Sequence, residues 1–510
     1  MLQFILRRIG ISALVMLVAS ALLYFLTINS GDPLEELWES NADNRQQLID
    51  ARIANMNLDM PWWQRYLTWL GGAGRCLLLD CDRGLTRDGA NVNTMLVDAA
   101  GASLRLVTIA TFLAIIIGVT LGILSAIRQY SGFDYAVTFT AFLFYSLPVF
   151  WAAVLLKEYG AIRFNRWMGD PTMSLVTIIV IAMVLGIILA AVLGGGLRRQ
   201  VITFLATALV IGGVVGYFDA VNWWHRPALG LPLVIVGGLA ALAFMLVMTV
   251  GLANRRILYA GLVVVGLGVV SYFATQPLLD DPANWFVVLG LALLAAAVGA
   301  AVGWFMGGYE RRVGMTVGAG TAVGMAFLIF MDHLLSAWSG FLARTPGRQI
   351  ATIGERRLDP GRVELAFYEN IYNWGIQLIL PTIVLTVISI AAYSRYTRAS
   401  MLETINQDYI RTARSKGLSD RVVYTKHALR NALIPITTIV AFDFAGLLGG
   451  AVITETIFGW RGLGAMFAAG LNNVDPNPVM AYFLVAGGAA VIMNMVADIA
   501  YAFLDPRIRR

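Results

Sequence analysis

The sequence predicts an all-α polytopic membrane protein with about twelve transmembrane helices, and three observations carry that reading. Apolar runs of about 20 residues recur along the chain, each long enough to cross a bilayer as a helix. Of 510 residues 58% are hydrophobic, only 13% are charged and 51 are glycine, with a mean hydropathy of +0.73, a balance that soluble domains do not show. Runs such as "LVTIIVIAMVLGIILAAVLGGG" are apolar on every face, whereas a soluble core helix needs a polar side. An unclosed sheet is excluded because its edge groups would lie unsatisfied in lipid. The net charge of +6 then marks cytoplasmic loops rather than a nucleic-acid partner, and the lipid bilayer is the surrounding medium.

The first span lies within 1–30, where Arg7 and Arg8 precede an apolar stretch too long for a cleaved signal peptide. It is expected to be retained, with the N-terminus inside. Residues 31–100 form an acidic extracytoplasmic segment with short amphipathic helices such as "PWWQRYLTWL". Cys76 and Cys81 fall in it. An exported loop is compatible with a disulfide, and their spacing leaves a bond and two free thiols both open. Spans near 103–127 and 136–156 follow, joined by the inside turn "IRQYSGFD".

Six more spans fill the block 172–340, near 173–194, 201–218, 229–252, 257–275, 285–306 and 313–333. Arginine-pair turns ("GGGLRR", "GLANRR", "GGYERR") alternate with acidic, tryptophan-bearing turns ("DAVNWWH", "QPLLDDPANW"). The positive-inside rule and the aromatic belt therefore agree at each turn. The pairs begin at Arg198, Arg255 and Arg311, spacings of 57 and 56 residues. That regularity fits three tandem helical hairpins, or hairpins whose length the bilayer sets. No ionisable residue is read inside these spans, so the block is expected to be scaffold rather than path.

A basic loop over 341–375, read as extracytoplasmic against the charge rule, leads to spans near 376–394, 433–453 and 479–503 and a basic inside C-terminus. Both termini are then cytoplasmic. Between the first two of these spans stands "DYIRTARSKGLSDRVVYTKHALRNALIP", residues 408–435. It reads as helix, turn at Gly417, then a second helix with Ser419 or Asp420 as N-cap. Ile410, Ala413 and Gly417 share helical spacing and are placed to pack into a partner's groove. The residues alone leave a basic loop on anionic lipid equally open.

The motifs of this region resemble the cytoplasmic coupling loop of permeases in bacterial ABC importers, the EAA loop, and more narrowly the dipeptide/oligopeptide/nickel permease family. Arg411, Thr412, Ala413 and Gly417 stand at the positions of that loop's Glu-Ala-Ala and glycine, and Arg430 replaces its later proline. "SGDP" at 30–33, "YSLPVFW" at 145–151, "YTRASMLETINQDYIRTARSKGL" at 396–418, "LLGGAVITETIFGWRGLG" and "DIAYAFLDPRIR" resemble further phrases of the family, although Arg461 stands where proline is usual. The resemblance covers roughly 1–165 and 370–510. It implies a six-helix importer permease core of the bacterial cytoplasmic membrane, interrupted by six inserted helices at 172–340.

The resemblance further implies a second permease subunit, two ABC ATPase subunits that use ATP and Mg, and an extracytoplasmic substrate-binding protein delivering peptides. The coupling loop, 395–432, would dock on an ATPase through Arg411, Thr412, Ala413, Arg414, Gly417, Leu418, Ser419, Asp420 and His427. The chain itself shows no G-x-x-x-x-G-K-[ST] phosphate loop and no His/Cys constellation for a metal, so no cofactor and no catalytic residue are expected in it. Two acids in the last part of the chain are candidates for the path or a gate. Asp443, inside an apolar span, would contact a peptide's amino group or pair across the bundle, and Glu455 at the outer mouth would gate or meet the binding protein. Rival classes are a self-sufficient secondary transporter, which the scarcity of intramembrane charge opposes, and a membrane scaffold.

Overall fold

The computed structural model describes residues 2–504 apart from 79, 250, 252, 253 and 360; the basic end 505–510 lies outside the described residues. Among the described residues eleven helices are long and apolar enough to cross a membrane, and a bent pair makes twelve if its two limbs are one crossing. Apart from one isolated bridge, Leu85 to Asn91, no β-structure occurs among them.

Helix α1 (Leu2–Ile28) leads into the segment 31–91, which holds α2 (Arg45–Met56) and α3 (Trp62–Gly74). Tyr66 and Trp69 of α3 are buried with Tyr24 and Met480, while Trp62, Trp63 and Leu67 remain exposed. Cys76 and Cys81 are joined as a disulfide just beyond α3. Arg52 of α2 is buried between Glu36 (2.8 Å) and Asp88 (3.2 Å). The neighbouring Arg87 N–H donates to Asp475 Oδ2 at 2.7 Å, which ties the segment to the loop before the last helix.

Helix α4 (Val92–Ile127) starts where the Asn91 side chain accepts from Asn93 N. The next helix, α5 (Gly132–Ser146), is capped by Ser131, which accepts from Asp134 N at 3.2 Å. The single straight span expected over 136–156 is instead broken. Leu147 is extended before Pro148, and α6 (Val149–Lys157) leaves at 96°. Proline disfavours helical backbone at the residue before it, so the "SLP" sequence ends one limb and starts the other.

The central block holds six long helices: α7 (Leu175–Leu193), α8 (Leu197–Ala220), α9 (Gly230–Thr249), α10 (Arg255–Ala274), α11 (Trp285–Met306) and α12 (Arg311–Ser336). They do not stack as three equivalent hairpins. α7 and α8 form one pair, whereas α9, α10 and α12 share a core of Val234, Leu242, Leu246, Ile257, Val317 and Met325. α11 lies on α12 through Gly299 and Gly303, whose Cα atoms face the backbone of Gly318 and Gly314. A β-carbon on Gly303 would sit 2.0 Å from the Gly314 carbonyl oxygen, so only glycine permits this approach. The expectation that no ionisable residue lies in these spans is corrected at Asp332, which is buried near the end of α12. It accepts from Leu229 N (2.7 Å), Gly230 N (2.8 Å) and Tyr272 Oη (2.7 Å). Its Oδ1 closes the turn into α9 and its Oδ2 holds Tyr272 of α10, a structural use of an acid at a helix end.

Helix α13 (Phe367–Ile405) runs parallel to α4 along most of its length. Gly118 and Gly122 of α4 receive Tyr393 and Thr397, and Thr386 donates to Ala110 O. The central block meets this core at the start of α13, where Trp285 packs on Phe367, Phe330 and His333 on Tyr368, and Trp338 on Tyr372. Then follow α14 (Asp408–Ser415), α15 (Leu429–Gly450), the short α16 (Val452–Phe458) and α17 (Leu463–Asn472), and α18 (Pro476–Leu504). α16 and α17 are too short to cross a bilayer, and Leu463 and Met466 of α17 pack on Val92 and Leu96 at the start of α4.

Candidate functional site: an elbow at the end of the bundle

The segment singled out in the sequence sits at the end of the bundle opposite to 31–91, carried by the last turns of α13 and the first of α15. α14 ends at Ser415, and Gly417, two residues on and with a φ of +76°, reverses the chain. Its N–H donates to Arg414 O at 2.9 Å. Ser419 follows in the extended N-cap position, without a side-chain cap bond. A short helical stretch over Asp420–Val422 then widens into a π-helical turn over Val423–Ala428 and runs into α15.

One expectation is overturned here. Ile410 and Ala413 do share one face, but that face is turned into this chain. Both are buried with Ala126, Met401, Val423 and Ala428. They anchor the elbow instead of meeting a partner, because the ends of α4 and α13 leave an apolar notch that α14 fills. What the elbow exposes is the other face: Arg411, Thr412, Arg414, Ser419, Asp420 and the apolar Leu418 at the apex. His427 is half-buried in the π-helical turn. Polar contacts brace the two arms. Arg414 bonds Tyr424 Oη (3.2 Å) and lies 3.5 Å from Asp420, and Asn431 donates to Tyr409 Oη (2.7 Å).

A pair that sequence reading missed stiffens the same end. Arg398 near the end of α13 grips Asp134 at the start of α5 through both carboxylate oxygens, Nε at 2.7 Å and an Nη at 2.9 Å. Ser125 Oγ and Tyr130 N (3.0 Å) donate to the same carboxylate, which is buried. A bidentate, fully satisfied pair of this kind is both strong and directional. Nothing in the sequence links residues 264 apart, although an acid in the first turn of an apolar helix was a visible signal.

Asp443 of α15 is half-buried and accepts from Ser389 Oγ (2.8 Å) and Tyr393 Oη (2.6 Å) of α13, a pairing across the bundle. Glu455 departs from its expected place at an open mouth. It is 1% exposed, accepts from Ser103 Oγ (2.5 Å) and Ala465 N (3.0 Å), and leaves no room for a side chain at Gly462. A carboxylate so enclosed fastens α16 and α17 to α4 and is out of reach of any external protein. At the same end Asp475 is buried under Arg87 and Asn477, and burial pushes its carboxyl up to about 6. Among the described residues no three His, Cys, Asp or Glu side chains are grouped to hold a metal.

The profile of a family described as binding-protein-dependent transport system inner membrane component matches residues 322–510. An oligopeptide transport system permease protein of Mycobacterium tuberculosis is 26% identical over 509 residues, 100% of this chain and 99% of that protein. The central block therefore has a counterpart there. An oligopeptide transport system permease protein of Bacillus subtilis is 45% identical over 139 residues, 27% of this chain and 44% of its own. A dipeptide transport system permease protein of Alkalihalophilus pseudofirmus is 46% identical over 132 residues, 26% of this chain and 40% of its own.

Proposed function

We infer that this chain, which belongs with the inner-membrane components of binding-protein-dependent transport systems, is the peptide-translocating permease subunit of an ATP-driven importer. It works with a second permease, two ATPase subunits that bind ATP and Mg, and a substrate-binding protein that delivers peptide from outside the bacterial cytoplasmic membrane. Residues 31–91 and the loop 341–375 face outward, and the elbow at 408–428 faces the cytoplasm.

The observation that carries the reading is the build of the elbow. Its apolar face is locked into the ends of α4 and α13, and its polar face is presented at the tip of the bundle. An element fixed on one side and exposed on the other transmits force. A partner that pushes on Arg411, Thr412, Arg414 and Leu418 moves α13 and α15 as levers. The Arg398–Asp134 grip passes the motion to α4 and α5. Closure of the ATPase pair on ATP supplies the differential binding that biases the bundle between two states.

Reconstitution of the permease pair with its ATPases and binding protein tests this. Uptake of an alanine tripeptide should require ATP inside the compartment that holds the ATPases. Tripeptide movement by this chain alone, without ATP, would overturn it.

A further inference from the structure

The outer part of α4 carries a cation that the fold does not neutralise. Arg105 is exposed on α4, on a face shared with Leu104, Thr108, Ile109 and Phe112. It stands 23 residues, about 34 Å of helix, from Arg128 at the opposite end, which puts it at the outer margin of the hydrocarbon. Its Nε donates to Gly101 O at 3.0 Å, and it makes no ion pair among the described residues. Asp98, on the same helix face, lies two turns further out, about 10 Å away along the axis, and makes no bond with it. A guanidinium cannot rest unpaired against lipid, so this face opens on water or on an anion.

A second cation is brought to the same place. Arg356, from the loop between the central block and α13, stacks on the Trp374 ring with its Cζ 4.1 Å from the centroid. Arg105 lies over that ring at 4.6 Å. The two guanidinium groups are therefore no further apart than the sum of those distances. The placement is built. The buried Asn373 side chain accepts from Arg357 N (2.9 Å) and Leu358 N (2.7 Å) and donates to Leu358 O (2.8 Å), and Gly354 N donates to Phe458 O (2.9 Å). These bonds pin the loop over the start of α13. Among the described residues only Glu355, 3.8 Å from Arg356, offsets the charge, and one of its oxygens is enclosed with no bonding partner. Two like charges held about one ring repel each other, and the indole compensates each only weakly.

We propose that Arg105, Arg356 and Trp374 form an anion site at the outer mouth that takes the terminal carboxylate of a peptide entering the path. The inference rests on the peptide-permease reading above. A carboxylate between the guanidinium groups would remove their repulsion and make charge-assisted bonds to both. The aromatic ring would tolerate any last side chain, as a path for varied peptides requires.

The complete transporter in liposomes, with its binding protein and ATP, decides the matter. Uptake of tri-alanine and of its C-terminal amide is compared for wild type, Arg105→Gln, Arg105→Lys and Arg356→Gln. The account expects Arg105→Gln and Arg356→Gln to slow uptake of the free acid about tenfold, the loss of one charge-assisted bond. Uptake of the amide should stay at its wild-type rate, and Arg105→Lys should recover part of the free-acid rate. Equal slowing of acid and amide would overturn the site in favour of a structural role, or of pairing with an acid on the second permease. Unchanged uptake of both would overturn it outright. Failure of wild type to import either peptide with ATP would remove the peptide-permease reading, and this site with it.

Discussion

Gly417 is the joint on which the coupling account turns. Its φ of +76° lies in the left-handed region, and nothing stands within 4 Å of where a β-carbon would be. Gly417→Ala therefore meets no clash and costs only the left-handed backbone penalty, about 1 kcal/mol. That shifts the elbow equilibrium about fivefold, against anchors in which Ile410 alone contributes about 1.5–3 kcal/mol by burial. Gly417→Pro is different in kind. Proline fixes φ near −65°, and it removes the N–H that donates to Arg414 O. It also disfavours the near-helical backbone of Lys416, where φ is −80° and ψ 6°. Together these cost about 3 kcal/mol or more, enough to unmake the elbow while leaving every span intact. Peptide uptake and ATPase activity of the reconstituted complex are the assay, with permease abundance and melting as controls. The alanine variant should keep most of its uptake. The proline variant should lose at least about tenfold, and its ATPase should no longer respond to peptide-loaded binding protein. A proline variant that transports at the wild-type rate with a normal ATPase response would show that the elbow does not couple the bundle to the ATPases.

Other consequences follow from single contacts. Asp134→Ala strands Arg398 and two further donors, so the purified permease should lose about 3 kcal/mol, seen as a lower melting temperature, and the Asp134→Ala/Arg398→Ala double variant should lose less than the sum of the two singles. Gly303→Leu drives a side chain into the Gly314 carbonyl and should destabilise the α11–α12 pair by at least about 3 kcal/mol in thermal melts, whereas Gly290→Leu, with open space around it, should melt like wild type. The raised folded pKa of Asp475, about 6 against about 4 unfolded, means that the folded state takes up the proton first. Its contribution is fully present below about pH 4, falls by about 3 kcal/mol as pH rises towards 6, and is level above that. Melting temperature against pH should therefore fall more steeply for wild type than for Asp475→Asn across that window, and parallel curves would contradict it.

The crossing helices were legible because a bilayer imposes length and apolarity locally, and the arginine-pair turns set their phase. The break at Pro148 was also written in the chain, yet the apolar run across "YSLPVFW" masked it. The elbow's shape could be read from Gly417 and Ser419. The direction of its apolar face could not, since the notch that receives Ile410 and Ala413 is made by α4 and α13, which are remote in sequence. Glu455 shows the same limit. Its residue type and place beside an outer phrase suggested exposure, and only packing of α16 and α17 against Ser103 shows that it is enclosed. Arg398 with Asp134 depends on α13 packing against α5, and Arg105 with Trp374 on α13 lying parallel to α4, relations that no periodicity expresses.

Cross-linking in the native membrane shows what the elbow touches. Cysteines placed singly at Thr412, Leu418 and Ser419 would be joined to their neighbours, and the joined proteins identified by mass. These positions should link to an ATPase subunit, ATP should change the yield, and a second permease should come along in the gently purified complex. A chain that purifies alone, links at these positions only to lipid and still moves tripeptide without ATP would contradict it.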